Sequence, residues 1–291
     1  MLHRRPLLLA STIALLTAAP SMLLGCINVF GTNVAGASVP ADVCTHQLPD
    51  YSADPKHDPQ LIEAVERLED LTKHFPTMAN RNNLGAKLLQ AGEFQRALEL
   101  LLALELDEPG HYEVASNLGT AYELTGRDVE AREWIDKGIA RNIDNHYGTE
   151  WIHLRILDAK LELARDPDWL LTHSVIGATF GNDDAPTESV AMPAGNDGHT
   201  TVNPRIAQLA ICYQMQERLP FTPKPNLLVG SLLFDAGNIA FHHDTLENTL
   251  KLYQLAAEYS VPDPALLERR IAHTKQLLAN LAPKQTFRLD R

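Results

Sequence analysis

Apolar and polar positions along this chain follow one long uncharged run, then a loose stretch, then helical periods. Residues 7–25 carry no charge and are mostly apolar, with Arg4 and Arg5 just ahead of them. Residues 27–57 hold few periodic apolar positions and many Gly, Pro, Ala and Asp, which predicts a flexible stalk. From Asp58 the pattern becomes that of an amphipathic helix. Asp58 offers an N-cap carboxylate and Pro59 a first-turn proline, and Ile62, Val65, Leu68 and Leu71 make the stripe that Phe75-Pro76 ends. Helical periods continue to 145 and again over 148–164, where Trp151, Leu154, Leu157 and Leu161 supply the stripe, with Asp158 sharing the position of Leu157. Residues 174–181 are β-branched and fit either strand or helix, and 182–203 are polar, which predicts a surface insertion. Helices are then predicted over 204–218 behind Asn203-Pro204, over 226–241, over 246–259, and from Asp263-Pro264 to 281. In the last of these Leu267, Ile271, Leu278 and Leu281 share one face and Glu268, Arg269, Lys275 and Gln276 the other, as a helix sealing the end of a stack requires.

Within the helical stretch the sequence repeats itself. Asn83-Leu84-Gly85-Ala86-Lys87-Leu88 matches Asn117-Leu118-Gly119-Thr120-Ala121-Tyr122 at an offset of 34 residues, and Gly92 with Gly126 and Ala97 with Ala131 keep that offset. Gly85, Gly119, Ala97 and Ala131 allow two helices of a hairpin to approach closely, and Gly92 and Gly126 suit the left-handed end of a helix. This pattern resembles the tetratricopeptide repeat, with one copy over about 78–111 ending at Pro109 and a second over about 112–145, where Gly138 and Ile143 stand in for the alanine and the terminal proline. The helix from Asp58 fits the second half of a preceding repeat. The resemblance is weak over 146–285, where 226–259 form a stretched copy around Gly230, Gly237, Tyr253 and Ala256. Segments 146–153 and 217–222 also look like those of a group of bacterial repeat proteins, which adds no mechanism.

The uncharged run ends in Leu23-Leu24-Gly25-Cys26, which resembles a bacterial lipobox and implies a signal peptide over 1–25 with lipidation of Cys26. Cleavage at Ala35-Gly36-Ala37, or retention of the run as an anchor, are the alternatives. All three place the body outside the cytoplasm, and the lipidated form sits on a bacterial envelope membrane, in the periplasm or at the cell surface.

Charge and motif narrow the function. Lys and Arg total 25 against 37 Asp and Glu, a net charge of −12, which argues against a nucleic-acid partner. Three cysteines make neither a disulfide framework nor a Cys-based zinc module, although Cys44 and Cys212 could pair outside the cytoplasm. No P-loop, dinucleotide turn, HExxH or GxSxG occurs. His242-His243-Asp244 looks metal-like, but adjacent helical histidines diverge by about 100°, so an inter-helix polar loop explains it better. His146 and His153 fit capping or core hydrogen bonds. Glu150 and Asp158 lie about 12 Å apart along one helix, too far for a carboxylate pair, and fit solvated charges. Trp134, Trp151 and Trp169 fit inter-helix core.

The expected fold is all-α: a tetratricopeptide-like right-handed superhelical solenoid of antiparallel helix pairs, degenerate in its C-terminal half. The expected divisions are 1–25 signal, 26–57 stalk, 58–181 repeats, 182–203 insertion, and 204–291 degenerate repeats with a capping helix. By the resemblance, a concave groove binds an extended peptide or helical segment of a protein partner, with Asn82, Ala86, Leu89, Gln90, Ser116, Thr120 and Glu123 projecting into it. Lys and Arg are missing from the positions where chaperone-tail-binding members clamp a carboxylate, leaving a mildly acidic groove suited to neutral or basic segments. The expected function is a non-enzymatic scaffold without cofactor, metal or small-molecule substrate. The alternative is an enzyme, or a metal- or glycan-binding protein, with its site within 146–260.

Overall fold

The computed structural model describes residues 30–41, 45, 48–49, 55–188 and 191–281. The apolar run and Cys26 lie outside the described residues, as does Cys44. Among the described residues no helix is long and apolar enough to cross a membrane.

Helices α1 (Pro59–His74), α2 (Met78–Gln90), α3 (Phe94–Asp107), α4 (Tyr112–Leu124) and α5 (Asp128–Arg141) follow one another as the periodicity predicts. The Asp58 carboxylate accepts from Gln60 N at 2.8 Å, the cap expected at the start of α1. Each helix packs on the next, and α2 also packs on α4, so the N-terminal face of each hairpin stacks on that of its neighbour. The 34-residue offset has a steric origin. A Cβ on Gly85 would lie 2.7 Å from Leu101 Cδ2, and one on Gly119 would lie 2.3 Å from Ile135 Cδ1. Bare backbone at the equivalent site of each hairpin therefore receives an aliphatic side chain from the second helix.

After α5 the chain makes α6 (Asn145–Gly148), a single turn in which His146, Tyr147 and Gly148 all have positive φ. Helix α7 (Glu150–Leu163) is the joint of the molecule. Its Leu157 belongs to the repeat core with Leu101, Leu118 and Ile135, whereas Ile152, Ile156 and Ala159 belong to a second core with Ile211, Leu233 and Tyr253. Trp151 is buried in that second core, and Trp134 and Trp169 pack at the edges of the first and second respectively, so the tryptophans do fill space between helices.

The C-terminal half holds α8 (Pro204–Arg218), α9 (Leu227–His243), α10 (Leu246–Tyr259) and α11 (Pro264–Leu281). Asn203, Asn226 and Thr245 cap the first three through their side chains. The α9–α10 hairpin repeats the steric device, with Gly237 under the Tyr253 ring and Gly230 against the Ser260 carbonyl.

Two segments depart from expectation. Where it is described, the predicted stalk lies on the body. Strands β1 (Phe30–Thr32) and β2 (Ser38–Pro40) form an antiparallel hairpin, and Thr32 N donates to Glu247 Oε2 on α10 at 2.8 Å. Thr45 is fully buried, and Leu48 packs on the second core. Its apolar residues are too widely spaced to show a period, and its ladder is made by backbone groups that sequence pattern does not report. The 182–203 insertion is a loop, as predicted, but a tethered one. Arg270, 1% exposed, donates to the carbonyls of Phe180, Gly181 and Asp183 and to Asn238 Oδ1. Asn196 Oδ1 accepts from Trp151 N and so caps α7 from across the molecule. The ambiguous segment at 174–181 is neither strand nor helix, yet it buries Val175, Ile176, Ala178 and Phe180.

Candidate functional site

The concave side of the repeats is not an open trough. Residues 218–229, which join α8 to α9, lie across it, and Phe221 meets Phe94 edge-on with ring centroids 6.5 Å apart. What remains is a cleft of about 340 Å³ between α2 and α4 on one wall and α7, α8 and the start of α9 on the other. That volume suits one or two side chains or a short stretch of extended chain.

Of the residues expected to project into the groove, Ala86, Leu89, Gln90, Thr120 and Glu123 line this cleft. Asn82 instead accepts from Asn117 Nδ2 at 2.9 Å, which ties α2 to α4 and fixes the amide of Asn117, itself a lining residue. Ser116 points into the body, where its hydroxyl accepts from Asn145 Nδ2 at 2.6 Å beside Gly138. Helical spacing predicts the face of α4 correctly but does not show that α6 covers its N-terminal end.

Glu123 is the centre of the charged groups. Arg218 of α8 binds it through both terminal nitrogens at 2.8 and 3.0 Å, His153 Nε2 meets it at 2.8 Å, and Lys160 Nζ at 3.3 Å. Burial by itself pushes the Glu123 carboxyl up, but Arg218 and His153 outweigh it and hold the group well below the usual range. The groove is therefore not left without cations: they arrive from α7 and α8 rather than from the clamp positions of the repeat. Its acidity at Glu123 is already neutralised.

The same chain of contacts continues through α7. His153 Nδ1 faces Glu150 Oε1 at 3.2 Å, and His146 Nδ1 bonds Glu150 Oε2. Glu150 is fully buried, not solvated as its helix position suggested. Burial raises its carboxyl, the two histidines lower it further, and the balance falls at about 2. His146 is moved the other way: burial lowers it, but Glu150 raises it more. Asp158 faces elsewhere and pairs with Arg132 at 2.5 Å. Capping and core bonding thus account for His153. His146 is also held in a left-handed backbone (φ 48°, ψ 46°), a conformation that costs a non-glycine residue about 1–3 kcal/mol. It lines the cleft, with its ring 6.0 Å from that of Tyr213.

The remaining lining groups are amides, hydroxyls and apolar side chains. Leu89, Leu124, Ile156, Phe221 and Leu228 supply the apolar surface. Gln214 is 4% exposed, its side chain forms no hydrogen bond among the described residues, and it opens onto the cleft. Gln214 and Glu217 lie on α8 with i, i+3 spacing, and both line the cleft. Gln214 carries no sequence signal, and Glu217 appears there only within the 217–222 segment with no role attached, because α8 lies nearly a hundred residues from the repeat it faces.

His242 and His243 are taken up by the insertion: His242 Nε2 bonds Pro186 O at 2.8 Å, and His243 faces Glu188 at 3.2 Å. Asp244 accepts from Gln208 and Asn248. Among the described residues no group of His, Cys, Asp and Glu is arranged to hold a metal ion.

A search of curated proteins finds no matching relative. The family model described as tetratricopeptide repeat matches residues 88–147, from the end of α2 through α3, α4 and α5 to the left-handed turn. Repeats of this kind generally mediate contacts between proteins. Over residues 88–147 the match, the 34-residue register and the stacked hairpins agree, so this part of the chain is similar to the tetratricopeptide repeat.

Proposed function

We propose that the chain is a non-enzymatic scaffold, tethered outside the cytoplasm through Cys26, that holds an extended segment of a protein partner in the cleft between α4 and α8. One observation carries the binding site. Five of the groove residues expected from the repeat resemblance converge with Gln214, Glu217 and Arg218 of α8 on one concavity, in which Glu123 is paired by Arg218 and His153. The Glu123–Arg218–His153 contacts hold the facing helices together and so preorganise the wall, as a binding surface requires. The uncharged run over 7–25, ending at Cys26, supports the tether.

Site-specific photo-crosslinking in native membranes tests the cleft. A photoreactive residue at Gln90, in the cleft, is expected to capture one protein partner. The same residue at Leu106, 83% exposed on α3 and outside the cleft, is not. Capture from Gln90 is expected to disappear in Thr120→Arg. Equal capture at both positions, or none at Gln90, overturns the reading. Metabolic acyl labelling that persists in Cys26→Ser overturns the tether independently.

A further inference from the structure

We infer that the cleft is built to receive a lysine or arginine side chain of the partner segment, with its cation held by Glu217 and the amide oxygen of Gln214. This rests on the scaffold reading and deepens it. The other charged residues lining the cleft are matched inside the protein: Glu123 by Arg218, His153 and Lys160, and Lys160 in addition by Asp128 at 2.5 Å. His146 is matched by Glu150 from beneath the wall. Glu217 has no ion pair or hydrogen bond among the described residues and is exposed at the cleft. It is the one lining carboxylate of which this is true; only the charge of nearby His146 bears on it, without an ion pair, so the cleft presents one carboxylate with free acceptor oxygens.

One helical turn earlier on α8, Gln214 is 4% exposed as a residue, and its side-chain amide, which has no partner among the described residues, opens onto the same space. A ligand group that bonds this amide takes the place of the water it meets there. A carboxylate and an amide oxygen on adjacent turns suit a cation, which carries donors only. Leu89, Leu124, Ile156, Phe221 and Leu228 offer apolar surface for the methylene stem that leads to such a charge. An anion has no comparable seat. Lys160 and the terminal nitrogens of Arg218 are engaged by Glu123 and Asp128, and the unpartnered Arg218 Nε is buried out of reach, so an incoming carboxylate would have to separate buried pairs.

Fluorescence anisotropy with the full chain tests this, using labelled pentapeptides that differ only at the central residue: lysine, arginine, norleucine or glutamate. Lysine and arginine peptides are expected to bind about tenfold tighter than glutamate and about threefold to fivefold tighter than norleucine, with the preference weakening in high salt. Glu217→Gln is expected to remove most of the preference and Glu217→Lys to reverse it. Glu217 is exposed, so circular dichroism should be unchanged in both. Gln214→Leu, which keeps the bulk, is expected to weaken the basic peptides and spare norleucine. The inference is overturned if the basic and norleucine peptides bind alike, if no peptide binds, or if the preference survives Glu217→Gln. Crosslinking from Gln90 separates the two levels. Capture that persists unchanged in Glu217→Gln overturns the basic side chain and leaves the scaffold standing, whereas no capture in the unmodified protein overturns the scaffold itself.

Discussion

Asp235 gives the sharpest quantitative test of the second core. It lies on α9, and its side chain accepts one hydrogen bond, from Ser174 Oγ at 2.6 Å. Arg270 is nearby, yet its guanidinium is committed to Asn238 and to the carbonyls of the 180–183 loop, so no ion pair forms with Asp235. Burial therefore dominates and pushes the carboxyl up from 3.8 to about 7, against the smaller opposing effects of Ser174 and Arg270. The folded value lies above the unfolded one, so the unfolded chain loses this proton first as pH rises. The contribution of Asp235 to stability accordingly falls between about pH 4 and pH 7 and is level above that. The full difference corresponds to about 4 kcal/mol, an upper bound because the core relaxes around an ionised group. Asp235→Asn keeps the shape and an acceptor for Ser174 and removes the ionisation. Urea unfolding followed by Trp151 fluorescence, which reports the same core, should show the variant near the parent at about pH 3.5 and about 2–4 kcal/mol more stable at pH 8. Parallel pH dependences in the two proteins would refute the assignment of this titration to Asp235.

Other expectations follow from the packing and the charge chain. Arg218→Met should cost about 3–5 kcal/mol by leaving Glu123 buried without its guanidinium, and adding Glu123→Gln should recover much of the loss in a double-mutant cycle; an additive pair would contradict the coupling. Glu150 sits at about 2, below its unfolded value, so its share of stability is present above about pH 4.5 and is lost as pH falls toward 2. Glu150→Gln should flatten that acid limb in a thermal-unfolding series. Gly119→Val should destabilise by about 2–3 kcal/mol, because the new Cβ would lie 2.3 Å from Ile135 Cδ1 and 3.2 Å from its backbone N; a neutral result would mean that α4 and α5 can part without loss. Cys212 is 1% exposed with its Sγ 4.0 Å from the Thr45 hydroxyl, so its alkylation is expected to be slow in the folded protein and fast in urea; equal rates would contradict the burial.

Much of the fold is legible in the chain because helices announce themselves locally. Asp58 and Asn203 cap where their side chains suggest, and the predicted helix over 246–259 coincides with α10. Gly85 and Gly119 mark the close approach within each hairpin because a repeated steric need leaves a repeated residue. The candidate site is only half legible. Ala86, Leu89, Gln90, Thr120 and Glu123 follow from the face of a helix, which has a fixed period. Gln214, Glu217, Arg218 and Phe221 do not, since their part in the cleft depends on how 218–229 cross the repeats. The misjudged solvation of Glu150 has the same source. A carboxylate on a helix looks solvated until His146 and His153 are seen to enclose it.

By itself, the sequence determined where helices begin and end, which faces pack within a hairpin, and the 34-residue step between hairpins. These depend on backbone capping and on side chains a few residues apart. Tertiary structure alone decided that the concave side is partly closed by the chain's own C-terminal half, that the 30–49 segment lies on the body where described, and that Glu123 meets Arg218 and His153 while Glu217 forms no ion pair among the described residues. Those outcomes depend on groups up to about two hundred residues apart meeting at hydrogen-bond distance, as Thr32 meets Glu247 and Arg218 meets Glu123. No local period encodes such a meeting, because its free energy exists only once both halves have folded around α7.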